Sequence, residues 1–222
     1  MTKLSRFSVC MLAAALLASP AAAGVGVSVD VLWSPNPDND LHVGLHASNM
    51  AYPLPRERVT PIFQEMDNPY DDYPVLAFVA YTSHVDIRTV WGYRRQGHAW
   101  FDVMVHFGVR PSALFVSLPS PPGPPYGKAY GYWKKHRNGL PARYVPDADM
   151  RFWVGLRSVS RYTGSPVDAV FEWHKAGNRP ERYAGNHYRA KHGKGQGKKQ
   201  RAGFDDGGGK QKGKGKGHGH QR

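Results

Sequence analysis

Trp100, Val103, Met104 and Phe107 stand at i, i+3, i+4 and i+7. That spacing puts four large apolar groups on one face of a helix. Ile87, Val90 and Trp91 start the same pattern, as do Val167, Val170 and Phe171; Phe152, Leu156 and Val159 make a further stripe. Leu76, Val79 and Ala80 predict one more helix after Pro74. Gly97 and Gly108 fall where helices would stop. Each stripe is short and one-sided, so no helix can bury its face alone. Hydrophobic residues make up 41% of the 222 and aromatics 12%, which suffices for one domain or two small ones and excludes a wholly disordered chain. A strand signal occurs only at the start, where Gly24 to Val31 alternates; with no second strand to pair it, it predicts an extended arm.

The helices carry an internal echo. Tyr81-Thr-Ser83-His-Val-Asp86 is followed by Trp91 and Gly97, and Tyr162-Thr-Gly-Ser165-Pro166-Val167-Asp168 by Trp173 and Gly177. Ser83 with Asp86, and Ser165 with Asp168, have capping-box spacing, with Pro166 at the first helical position. A weaker third version runs from Tyr52 through Pro55 to Val59 and Ile62. Repeated helical hairpins account for this; chance likeness between amphipathic helices is the alternative. The expected fold is mainly α: two or three short helical hairpin units packed together, with an extended N-terminal arm and a disordered C-terminal tail.

The first 23 residues stand apart. Lys3 and Arg6 precede the apolar run Val9 to Ala18, and Ala21-Ala-Ala23 ends the stretch. This is the pattern of a secretory signal peptide, which predicts a secreted or periplasmic protein. The run is too short to cross about 30 Å of hydrocarbon, so no transmembrane segment is expected after cleavage. Cys10 is the single cysteine and lies inside that run. The remaining chain therefore has no disulfide, no cysteine–zinc site and no thiol chemistry.

Charge splits the rest of the chain. From Arg189 to Arg222, 11 Lys and Arg face two acids, Asp205 and Asp206, a net of +9 among 11 glycines. Residues 24–188 carry only +2. The sequence thus divides into a signal peptide (1–23), an extended arm (24–44), helical units (45–118), a Pro/Gly/Tyr-rich linker (119–140), a second helical unit (141–188) and a basic Gly/Lys tail (189–222). Lys198, Lys199, Lys210, Lys212, Lys214 and Lys216 give the tail its attraction for anionic polymers or membranes. Lipopolysaccharide, anionic lipid or extracellular nucleic acid would each serve; a solubilising appendage is the alternative.

Within the linker, Gly123-Pro-Pro-Tyr126-Gly-Lys128-Ala-Tyr130-Gly-Tyr132-Trp133-Lys134-Lys135-His136-Arg137 interleaves aromatics with cations. Its rings could stack on sugars or bases while Lys128, Lys134, Lys135 and Arg137 meet phosphates or carboxylates; alternatively the rings turn inward and only the lysines face water. Together with Phe78-Val-Ala, Val85-Asp86, Gly97-His-Ala-Trp100-Phe-Asp102 and Asp149, this block resembles a family of small exported bacterial proteins over roughly residues 45–185. The resemblance implies export and a helical body. It brings no catalytic or ligand residue with it.

Candidates for chemistry are few. His42 and His46 stand at i, i+4 but lack the glutamate of a His-Glu-x-x-His site. His98 and His106 are separated by an expected helix and need not meet; His218 and His220 are weak metal candidates in the tail. No Gly-x-Ser-x-Gly elbow is present. Asp86 and Asp168 are explained as caps, Asp102 as exposed or capping, and Asp147 and Asp149 as a helix N-terminus. Trp91, Trp100 and Trp173 read as core. A helix–turn–helix outline invites sequence-specific DNA binding, but an exported chain is parted from the chromosome. The expectation is a non-enzymatic interaction protein with no cofactor. The alternative is an envelope hydrolase or a metal-handling protein using histidines.

Overall fold

Asn39 accepts hydrogen bonds from the amides of Leu41 and His42, and so starts the first long helix. The computed structural model describes residues 26–123, 127–136 and 145–193. Among these, regular structure is helical throughout: after a 3-10 turn at Val29–Leu32 come α1 (Asp40–Ala51), α2 (Arg56–Gln64), α3 (Pro69–Ser83), α4 (Ile87–Arg94), α5 (Trp100–His106), α6 (Pro111–Leu114), α7 (Gly127–His136), α8 (Asp147–Thr163), α9 (Val167–Lys175) and α10 (Pro180–His192). The expected signal peptide and all the tail lysines from Lys198 onward lie outside the described residues.

α3 forms the centre. Tyr73 and every residue from Val75 to Ala80 are buried, so it is apolar on all sides and must be surrounded. α1 and α8 flank it, and α10 packs across both. Chain spacing is tight where α1 meets α10. A methyl group added to Gly44 would lie 2.6 Å from Cγ of Glu181, and one on Gly185 would collide with Asp40. Small residues let the two backbones approach, and Arg189 then bonds Asp40 (3.1 Å) and the carbonyl of Pro37 (2.6 Å). The pair sets a carboxylate at the start of α1 against a cation near the end of α10, as both helix dipoles favour.

The helical hairpin units are real and share one backbone plan. α3 ends at Ser83, His84 takes the left-handed conformation (φ 58°), Asp86 caps, and α4 starts at Ile87. α8 ends at Thr163, Gly164 is left-handed (φ 72°), Pro166 caps, and α9 starts at Val167. Gly97 and Gly177, both with positive φ, close the short helices. Every one of these landmarks is separated from its counterpart by 80 positions. α1–α2 follows the outline, with Pro55 at the cap. The valine four residues past each cap — Val59, Val90 and Val170 — is fully buried.

Several local expectations need correcting. Ser83 does not cap α4: its hydroxyl donates to the carbonyl of Val79 (2.7 Å) and accepts from the amide of Val85. Thr163, not Ser165, does the same in the second unit, with the carbonyl of Val159 and the amide of Ser165. The hydroxyl thus finishes the preceding helix instead of opening the next. Pro166 is the cap of α9 and not its first residue. α3 begins at Pro69, where a missing N–H costs nothing, and runs on through Pro74. The end of the alternating run enters the 3-10 turn Val29–Leu32, with Val31 and Leu32 buried. α7 occupies part of the expected linker, because Tyr130 and Trp133, at i and i+3, bury themselves in the core.

Candidate anion-binding surface

The aromatic–cationic block splits by exposure. Tyr130 stacks on Trp153 (centroids 5.2 Å apart, 15°) and Trp133 on Phe115 (5.3 Å, 24°). The Tyr130 hydroxyl accepts from the amide of Leu118 at 2.8 Å. Tyr130 is 1% exposed and Trp133 8%, so these rings hold α7 to α8 and offer no face to a sugar or base. Lys134 and Lys135 are exposed. Tyr126 and Arg137, and the side chains of Lys128 and Tyr132, lie outside the described residues.

α10 runs four residues beyond the expected tail boundary, to His192. Arg189 therefore belongs to the fold. Arg182 and Lys191 on the same helix are exposed and form no ion pair with a described carboxylate. Beyond α10, residues 194–222 hold nine Lys and Arg against two Asp, a net of +7. The cation surplus thus begins with exposed residues of α10 and continues into the segment that follows it.

Elsewhere in the body, one group of cations is matched by acids. Arg94 bonds Asp147 (2.6 Å) and the carbonyl of His98 (2.6 Å). Asp147 also accepts from the amide of Trp100 (2.7 Å), and Asp72 from its indole N–H (3.0 Å). Arg151 reaches Asp71 (3.2 Å) and Asp72 (3.6 Å). This half-buried network ties α3, α4, α5 and α8 together. The two arginines are each held by aspartates around Trp100, which is structural work. A cleft of about 340 Å³ opens beside it between α1, α3, α8 and the start of α10, with Arg151, Asp71, His174 and Glu181 on its walls.

The histidines serve as packing groups. His42 stacks on Tyr70, and His46 meets Tyr162 and Tyr188 edge-on. His46 Nδ1 lies 2.9 Å from the carbonyl of Leu32, and burial pushes its pKa down. His98 and His106 do come together: they sandwich Tyr93 at 3.9 and 4.0 Å, all three rings nearly parallel. Tyr93 stands on α4, His98 in the segment before α5 and His106 at the end of α5, so the turn between the two helices brings the three rings together, which linear separation concealed. His218 and His220 lie outside the described residues, and among the described residues no three His, Asp or Glu converge as a metal site would require. No described helix is long and apolar enough to cross a membrane.

Sequence reasoning passed over two groups that the fold makes prominent: the Arg94–Asp147 pair, 53 residues apart, and Arg157 with Arg161 on α8. The i, i+4 spacing of the latter pair is the only signal that could have found either. Comparison with family models, curated proteins and solved structures gave no match.

Proposed function

We propose that this chain is a non-enzymatic interaction protein of the secreted or periplasmic space, holding an anionic envelope component by charge. The basic leader, apolar run and small residues before Gly24 support export. The binding element is residues 194–222 with the exposed Arg182 and Lys191 of α10, and exposed Lys134 and Lys135 add to it. One observation carries this reading. The net charge of +7 is gathered in the segment after α10, while residues 24–188 sum to only +2. A polycation of that kind binds phosphate-rich surfaces by releasing counterions, without a shaped site.

The test compares the full chain with a chain ending at Gly193. Cutting there keeps Arg189 and its bonds to Asp40 and Pro37. Binding to lipopolysaccharide and to vesicles rich in anionic lipid is measured at ~0.15 M and ~0.5 M salt. The full chain should bind at the lower salt and lose roughly a thousandfold in affinity at the higher, for about seven phosphates engaged. The shortened chain should bind neither. Retention by the shortened chain at the higher salt would end the proposal.

A further inference from the structure

Arg157 and Arg161 lie one turn apart on α8 and line a second cleft of about 290 Å³. Its other walls are Tyr52, Phe78, Thr82, Ala113, Val116, Ser160 and Val167, so no carboxylate lines it. Neither arginine has an ion-pair partner among the described residues. Nη1 of Arg157 is buried and makes no hydrogen bond to a described residue. The guanidinium of Arg161 is held over two rings, 5.2 Å from the centroid of Tyr52 and 5.6 Å from that of Tyr81. Both cations face the phenol of Tyr52, which burial keeps neutral; its hydroxyl meets the Arg157 guanidinium and offers it no counter-charge. Asp168, the nearest acid along α9, turns its carboxylate to the amide of Ala169.

The repeated plan shows that the scaffold does not need these charges. Counting back 80 positions, Arg157 corresponds to Ala77 and Arg161 to Tyr81. Both counterparts pack without charge, and Ala77 is fully buried. Arg157 is half-buried, and a cation drawn from water without a counter-charge is costly. Elsewhere in this body a half-buried arginine, Arg94 or Arg151, has aspartates beside it. Two arginines kept side by side without an acid, one immobilised by rings, make a fork suited to a multi-oxygen anion. Phe78, Ala113 and Val116 supply an apolar wall beside it.

We infer that this cleft binds a small amphipathic phosphate ester, its phosphoryl group held by Arg157 and Arg161 and its apolar portion set against Phe78, Ala113 and Val116. The phosphoryl group has three free oxygens for the two guanidinium forks and the Thr82 hydroxyl. The site is separate from residues 194–222, so its failure would leave the charge-driven reading of that segment untouched.

Phenyl phosphate is the probe, titrated calorimetrically into the full chain and into R157Q and R161Q. Inorganic phosphate and benzyl alcohol are the controls. The basic segment is intact in all three proteins, so its contribution cancels. Phenyl phosphate should bind saturably to the parent chain, and each substitution should weaken it roughly tenfold or more, the loss of one charge-assisted hydrogen bond. Inorganic phosphate and benzyl alcohol should each bind more weakly than the ester. Arg161 is exposed, so R161Q decides the matter even where R157Q unfolds. Equal affinity in parent and R161Q, or benzyl alcohol binding as tightly as phenyl phosphate, overturns the inference. So does an absence of saturable binding.

Discussion

α3–α4 and α8–α9 share a backbone but hold it by different means. In the first unit the short helix has a side-chain cap, Asp86 to the amide of Arg88, and Arg58 pairs with that same aspartate. Its last turn is fixed by Arg94, bonded to the carbonyl of His98 and to Asp147. In the second unit the cap is Pro166, without a side-chain bond. His174 stands where Arg94 does and approaches the carbonyl of Asn178 at 3.1 Å. The first unit engages its charges in holding its own turns. The second leaves Arg157 and Arg161 without acids. A shared plan with unequal electrostatics separates what the fold requires from what it merely permits, and these two arginines fall on the permitted side.

Four measurements bear on that contrast. Tyr73 and Trp153 are counterparts, both fully buried. Trp153→Ala should cost about 3–5 kcal/mol in urea unfolding, and Tyr73→Ala a similar amount. If the Trp153 variant lost less than about 1 kcal/mol, the second unit could not be an equal half of the core. Asp147→Ala removes the acceptor of Arg94 and of the Trp100 amide, and about 1–3 kcal/mol should go with it. His174→Ala should cost clearly less. Equal losses would show that charge is not what distinguishes the units.

Next comes the left-handed turn position, where His84 holds φ 58° and Gly164 φ 72°. Glycine adopts that conformation freely and other residues do not. Gly164→Ala should destabilise by about 1 kcal/mol and His84→Gly should stabilise by up to about that much. Thermal unfolding of the two variants should move in opposite directions; movement in the same direction would count against the matched turns. The smallest effect is on pH. Burial holds the pKa of His46 below its ordinary value of 6.5, so the unfolded chain takes up the proton more readily than the folded one. Its contribution is complete above that value and is lost as pH falls below it. His46 touches Tyr162 and Tyr188, so this loosening belongs to the second unit and to α10. Between pH ~7.5 and ~5.5, His46→Gln should show a shallower fall in stability than the parent chain; an unchanged slope would rule His46 out as the cause.

Much of the helix inventory was legible. Trp100, Val103 and Met104 are fully buried on α5, as are Leu156 on α8 and Val170 on α9, because spacing along one helix fixes which residues share its face. The echo between units was legible too, but its register was off. Matching Ser83 to Ser165 follows the letters, whereas the backbone is registered on His84 and Gly164, the residues that reverse the chain. Prolines hid the rest: Pro74 suggested a boundary inside α3, and the run before Tyr126 suggested a linker reaching past α7. In each case burial of the apolar residues beyond the prolines outweighed the local signal.

The amino-acid order alone determined the helical class, the glycine stops at Gly97 and Gly108, and the partition of charge between a near-neutral body and a strongly basic C-terminal segment. These depend on neighbours a few residues apart and on simple sums over composition. Tertiary structure decided that Tyr130 and Trp133 face inward, that His98 and His106 enclose Tyr93, and that Arg94 is paired with an acid while Arg157 is not. Each of those outcomes depends on groups brought together from distant helices, such as Asp72, Arg94, Trp100 and Asp147. Periodicity says which side of a helix is apolar, but not which other helix will lie against it.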